Sequence, residues 1–340
     1  MADDTPKGII INLDKERDAY AVSSPDDIIH VEEYERIKVL LKESLEAAKE
    51  FGKRHRYVGD PNDRGDSYCK RKENCSSELL TVRRHDAIML AGVRGSGKTT
   101  FMLSILDFIE KGKIGIDIDG KKKEECEIES LHILDPTLIE DKTHIFINII
   151  SMIKDKVDDK AKKANCFKNE ECDLSRKYKD WEKSFRKLAE GLPSIDGLGA
   201  NGFNTESWLD AEFVMNKGVR MAQAANKLEE SFREFVRHSL EFIDKNAFIL
   251  CFDDIDTNFG RGWPVLEVLH KYLTTPQLIS ILSGDPSLYS ILIRDKQWLN
   301  FSDRLLRMEA RTTDDRQKYK ETVAHLEEQY FLVAFSQRII

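Results

Sequence analysis

The segment AIMLAGVRGSGKTTFMLSIL, Ala87 to Leu106, constrains the fold of this chain more than any other. A strand-sized apolar run ends in GVRGSGKT, Gly92 to Thr99, and an apolar pattern of helical period follows directly. The octapeptide fits G-x-x-x-x-G-K-[ST] at every position, and it sits where that motif needs to sit, between a strand and a helix. Gly92, Gly95 and Gly97 let the backbone wrap closely around a phosphate, while amide hydrogens and a helix N-terminus present partial positive charge to it. Val93, Arg94 and Ser96 complete the expected cradle. Lys98 is expected to bridge the β- and γ-phosphates, and Thr99 to give its hydroxyl to Mg²⁺. Thr100 belongs to the same run, where it packs or makes a local hydrogen bond.

Two later segments supply what a phosphate cradle alone lacks. FILCFDDID places Asp253 and Asp254 after five apolar residues, at the carboxyl end of an expected buried strand, which is where an open parallel sheet holds its ligand. Asp253 is the expected Mg²⁺ ligand, and Asp254 is placed to polarise an attacking water. A third strand, in LISILSGDPSLY, ends in Ser283, Gly284 and Asp285. Ser283 can reach between the acids and a γ-phosphate, although serine and aspartate there also cap the helix that begins near Pro286.

Around these motifs the order is strand, helix, strand, helix. A second strand is expected within Ile128 to Ile139 and a helix through Ile145, Ile149, Ile150 and Ile153, which argues for a parallel sheet with crossover helices. RLLRMEA, Arg304 to Ala310, is a candidate fifth strand. Ahead of the core, GIIINL (Gly8 to Leu13) is a short apolar run. A helix is expected from about Asp26 to Phe51, introduced by the caps and proline of SSPDD. Three regions result: residues 1–82, a helical or extended region with an exposed loop; 83–312, the sheet core, with a charged helical insertion at about 155–245; and 313–340, the beginning of a helical lid. The last residues, EEQYFLVAFSQRII, end without a cap or breaker and predict a longer protein.

Composition narrows the classes. With 340 residues and 41% hydrophobic content the chain can bury a sizeable core, and its longest apolar runs are strand-sized, too short to cross a bilayer. No signal-peptide order opens the sequence, so a cytoplasmic protein without a membrane partner is expected. Six cysteines in a chain of this size do not suggest a disulfide scaffold; CKRKENC and CFKNEEC share a spacing wider than zinc ligands usually take. The net charge of −8 gives no general attraction to nucleic acid, and the basic stretches Gly52 to Tyr57 and Gly120 to Lys123 leave only local contact open.

GVRGSGKT, ILCFDDID and ISILSGD, in this order, resemble the corresponding motifs of AAA+ and related P-loop ATPases. The Asp-Asp-x-Asp ending looks closer to the KAP-like and STAND-like branches than to the Asp-Glu usual in AAA+ proteins, which leaves Asp256 as a third acid without an assigned duty. The resemblance implies an α/β fold of the P-loop NTPase (ASCE) type, with flanking helices and a helical lid, binding ATP and Mg²⁺. It also implies a ring homo-oligomer completed by an arginine from the neighbouring subunit, for which Arg294 and Arg304 lie in the right interval. Arg338 is the late candidate for a sensing arginine of the lid. More narrowly, HILDPTLIEDKTHIFINIISMI looks like the ATPase-subunit family of the bacterial RADAR antiphage systems, which implies an adenosine deaminase partner. The expected activity is ATP hydrolysis driving conformational change in an oligomer. A nucleotide-gated scaffold or DNA-loading module with little turnover, and a small-molecule kinase, are the alternatives.

Overall fold

Short apolar strands among the described residues build a sheet buried on both faces. The computed structural model describes residues 20–56, 87–114, 127–139, 144–164, 173–194, 223, 227–301 and 313–335. Within them β1 (Ala87–Ala91), β2 (Ile128–Leu134), β3 (Ala247–Phe252) and β4 (Leu278–Gly284) form one sheet in the order β1-β4-β3-β2, with every pairing parallel. Every residue of β3 and β4 is buried, as expected for strands covered on both sides. Leu90 lies opposite Ser283, and Phe252 opposite Leu282, so the carboxyl ends of β1, β3 and β4 finish side by side.

Among the described residues, eight helices cover the two faces: α1 (Val31–Arg56), α2 (Lys98–Glu110), α3 (Ile145–Lys163), α4 (Asp173–Gly191), α5 (Leu228–Ile243), α6 (Phe259–Lys271), α7 (Pro286–Leu299) and α8 (Thr313–Phe335). Ile88 and Leu90 of β1, with Ile249 and Cys251 of β3, turn to a core shared with α1 and α2. Their neighbours Ala87, Met89, Leu250 and Phe252 turn to a larger core made with α3, α4, α5, α6 and α7. The period of two along a strand therefore decides which helices each residue meets.

The helices of the charged middle region join that larger core. Trp181 and Leu188 of α4 and Phe232 and Phe235 of α5 are buried in the same apolar cluster as Phe146 and Ile150 of α3. Trp181 stacks on Phe185 with an interplanar angle of 3°, and its indole N–H donates to Ser239 Oγ at 3.0 Å. A buried cation also lies here: Arg233 donates to Glu229 Oε1 (2.6 Å) and Thr274 Oγ1 (2.7 Å), so its charge is paired and hydrogen-bonded.

The first long helix starts later than its capping residues suggest. Ser24 Oγ accepts from the Asp26 amide at 3.4 Å, but the turn it caps is a single 3₁₀ turn, Pro25–Asp27, and Ile28 is extended (φ −71°, ψ 125°). The extended residue separates the turn from α1, which begins at Val31. α1 then runs the length of the sheet. Tyr34, Ile37, Leu41, Leu45 and Ala48 are buried along it, and near its far end Lys49 pairs with Glu127 at 2.5 Å, just before β2 begins. Glu127 O accepts from the Asn246 amide just before β3, so this is the amino-end rim of the sheet.

Gly8 to Leu13, Arg304 to Ala310, the paired cysteines and the basic stretch Gly120 to Lys123 lie outside the described residues, as do Tyr57 and Arg338, whereas Gly52 to Arg56 form the end of α1. Among the described residues no helix is long and apolar enough to cross a membrane.

On α5, Arg237 Nη1 donates to Glu241 Oε1 at 2.9 Å, and His238 Nδ1 lies 3.3 Å from Oε2. Burial pushes the Glu241 carboxyl up, but His238 and Arg237 outweigh it and hold the group at about 2 against an ordinary 4.5. A carboxyl depressed by folding stabilises the fold above its unfolded value, and that contribution fades as pH falls toward the folded value. Glu241→Gln is therefore expected to lower stability at pH 7 by on the order of 1–2 kcal/mol, with the difference from wild type closing below pH 4.5; urea denaturation across pH checks it.

Candidate functional site

The glycine loop leaves β1 without breaking its pairing. Gly92 N donates to Gly284 O at 3.1 Å, which extends the β1–β4 ladder by one step, and Ser96 N then turns back to Val93 O at 3.2 Å. Gly95 (φ 84°) and Gly97 (φ 89°) are left-handed, a conformation that a side chain would strain. Gly97 occupies the N-cap position of α2, and its carbonyl accepts from Phe101 N at 2.9 Å. No side chain caps this helix, so the amides of its first turn point toward the loop without a side-chain acceptor. Val93 and Arg94 are exposed, and Thr100 lies in the first turn of α2, where its carbonyl accepts from Ser104 Oγ at 2.6 Å. The Lys98 ammonium folds back over the loop, donating to Gly92 O (2.7 Å) and Val93 O (2.9 Å).

Asp253 is where three segments meet. It is 7% exposed, and both of its carboxylate oxygens are engaged. Thr99 Oγ1 donates to Oδ2 at 2.7 Å across 154 positions of sequence. Oδ1 accepts from the Ser283 hydroxyl and from the Asp254 amide (3.1 Å). Ser283 is itself fully buried, and its carbonyl accepts from Tyr289 OH at 3.0 Å. Capping of the following helix falls instead to Asp285, whose Oδ1 accepts from Ser287 N at 2.8 Å.

Asp254 differs from its neighbour in exposure and in backbone conformation. It is exposed, its backbone is left-handed (φ 52°), and its carboxyl is raised above the usual range, by partial burial first and then by Asp253, Asp135 and Asp256, with Arg94 opposing. A raised carboxyl has greater proton affinity, which suits a group that accepts a proton. Asp256 is committed to another turn. Its Oδ2 accepts from Asp285 N at 2.7 Å and so ties the turn after β3 to the turn after β4. The Cys251 thiol, beneath these acids, is pushed up by burial and by Asp253, which keeps it protonated and unreactive.

Two residues at the site were not singled out from the sequence. Asp135 follows β2, caps the 3₁₀ turn Pro136–Leu138 through Thr137 N (2.8 Å), and contributes charge at Asp254. The Asp-Pro pair closing a strand was its available signal. His30 lies just before α1, and its Nε2 meets Ser96 O at 3.1 Å; nothing local in the sequence marks it. Arg294 is on α7, where its Nε pairs with Glu327 Oε2 of α8 at 3.1 Å, and it also borders a groove with Trp298 and Gln317.

Neither a protein-family model nor a curated protein matches this sequence.

Close packing behind the site leaves little tolerance. A Cβ added at Gly284 would fall 2.2 Å from Tyr289 Cε2 and 3.2 Å from Asp256 Cγ, and Tyr289 is fully buried. Gly284→Ala is expected to destabilise the protein by about 1–3 kcal/mol, as overpacked cores do, read as a lower denaturant midpoint with an unchanged slope.

Proposed function

We propose that this chain is a Mg²⁺-dependent ATPase of the P-loop class, in which hydrolysis drives conformational change in an oligomer. The observation that carries the reading is the contact from Thr99 Oγ1 to Asp253 Oδ2, because it joins the residue after the loop lysine to the acid that ends a neighbouring strand. The strand order supports it: β4 lies between β1 and β3, so Ser283 stands between the loop and the acids.

The residues present fit the groups this reading requires. Thr99 Oγ1 and the Asp253 carboxylate are adjacent hard oxygen donors, the kind that magnesium prefers, and the loop amides with the uncapped start of α2 suit phosphate. Bound magnesium would neutralise charge on the phosphates. Lys98 exchanges the carbonyls of Gly92 and Val93 for β- and γ-phosphate oxygens. Asp254 accepts the proton of the attacking water as its oxygen bonds to the γ-phosphorus and the bridging bond to ADP breaks. Ser283 and Thr99 hold Asp253 as an oriented carboxylate throughout.

The motif resemblance extends the proposal to a ring that works with an adenosine deaminase in antiphage defence, and that extension rests on the sequence motifs alone. Mass measurement with and without nucleotide tests the ring.

Lys98→Ala is expected to weaken ATP binding at least tenfold, and Asp254→Asn to retain binding while losing at least a hundredfold in turnover; calorimetry and phosphate release read the two separately. Wild-type turnover no faster than that of Asp254→Asn, with binding intact, would favour the nucleotide-gated scaffold. Phosphate appearing only when an acceptor is added would favour a kinase.

A further inference from the structure

His30 stands outside the loop motif and outside every role assigned above, yet it makes a direct side-chain contact with the loop backbone. Its Nε2 lies 3.1 Å from Ser96 O. A carbonyl oxygen only accepts, so Nε2 carries the proton and donates. Nδ1 is then left facing the Glu33 carboxylate at 4.0 Å. The ring also meets Phe101 of α2 edge-on, with centroids 6.3 Å apart and planes at 84°.

The bond matters because of which peptide it fixes. Ser96 C=O and Gly97 N–H belong to one planar trans unit and point in opposite directions, so holding the carbonyl toward His30 turns the Gly97 amide away from it. Gly97 has φ 89°, and a glycine has more than one backbone well open to it, so this peptide gains from an external hold. The close approach is confirmed from the other side: a Cβ at Gly97 would lie 3.7 Å from His30 Nε2. The anchor is firm. His30 O accepts from Tyr34 N at 3.0 Å in the opening turn of α1, and Tyr34 is buried edge-on against Phe108 at 6.0 Å.

We infer that His30 is a positioning residue that orients the Ser96–Gly97 peptide, presetting the Gly97 amide for a phosphate oxygen and thereby setting affinity for the nucleoside triphosphate. The inference rests on the nucleotide reading above for its ligand, but the orientation of the peptide does not. His30 acts on binding, and the chemical step is left to Asp254.

The test compares wild type, His30→Ala and His30→Gln, since glutamine restores an N–H donor of similar reach, with Lys98→Ala as the binding control. His30 is 45% exposed, so the variants are expected to fold, and their melting curves verify it. Binding of a non-hydrolysable ATP analogue with Mg²⁺ should weaken about tenfold in His30→Ala, the loss of roughly one hydrogen bond, and stay within threefold of wild type in His30→Gln. Turnover at saturation should change less than threefold in both. In the ligand-free protein, hydrogen exchange of the peptide covering residues 92–101 should quicken in His30→Ala and not in His30→Gln. Equal analogue affinity in wild type and His30→Ala overturns the inference, as does an alanine defect that glutamine fails to restore. If wild type binds the analogue no better than Lys98→Ala, the nucleotide reading falls, and exchange alone then decides the peptide-orienting role: unchanged exchange overturns it.

Discussion

A carboxylate taken almost out of water needs donors for its oxygens, and Asp253 takes them from three separate parts of the chain. Thr99 comes from the first turn after the loop, Ser283 from the end of β4, and the third donor is the amide of its own neighbour. Satisfying that one buried charge fixes the distance between β1, β4 and β3 at their carboxyl ends. The glycine loop, the exposed Asp254 and the turn bearing Asp256 then have little freedom in where they can sit.

The same logic explains the division between the two acids. Asp253 has both oxygens committed to donors and is a fixed acceptor. Asp254, one residue on, is thrown outward by a left-handed backbone into a field of three other carboxylates. Adjacent residues of one type thus acquire opposite properties from their backbone geometry and their donors, without any difference in side chain.

The sheet was legible in the sequence because its signals are local: apolar runs of strand length, glycines where the backbone must turn, and a new period of 3.6 after Lys98. Thr99 was read from the loop motif, Asp253 from an acid pair closing an apolar run, and Ser283 from its place at a strand end; the direct bond between Thr99 and Asp253 was not read. What could not be read were contacts set by register or by packing of distant segments. Asp135 reaches the site only because β2 lies beside β3, and His30 only because α1 docks against α2. The caps in SSPDD were read correctly as chemistry and wrongly as to element, since an extended Ile28 ends their turn before the long helix begins. Arg294, chosen by its interval, is tied to α8 by an ion pair that no interval reveals.

α1 has one more consequence. From His30 to Lys49 it is a rod of roughly 28 Å at 1.5 Å per residue, bolted to the glycine loop at one end and to the opposite rim of the sheet, through Glu127, at the other. Its buried face leaves no room for it to slide sideways. The glycine loop and the far rim of the sheet thus share one continuous helix, tied to each by a side chain and to the sheet between them by its buried face.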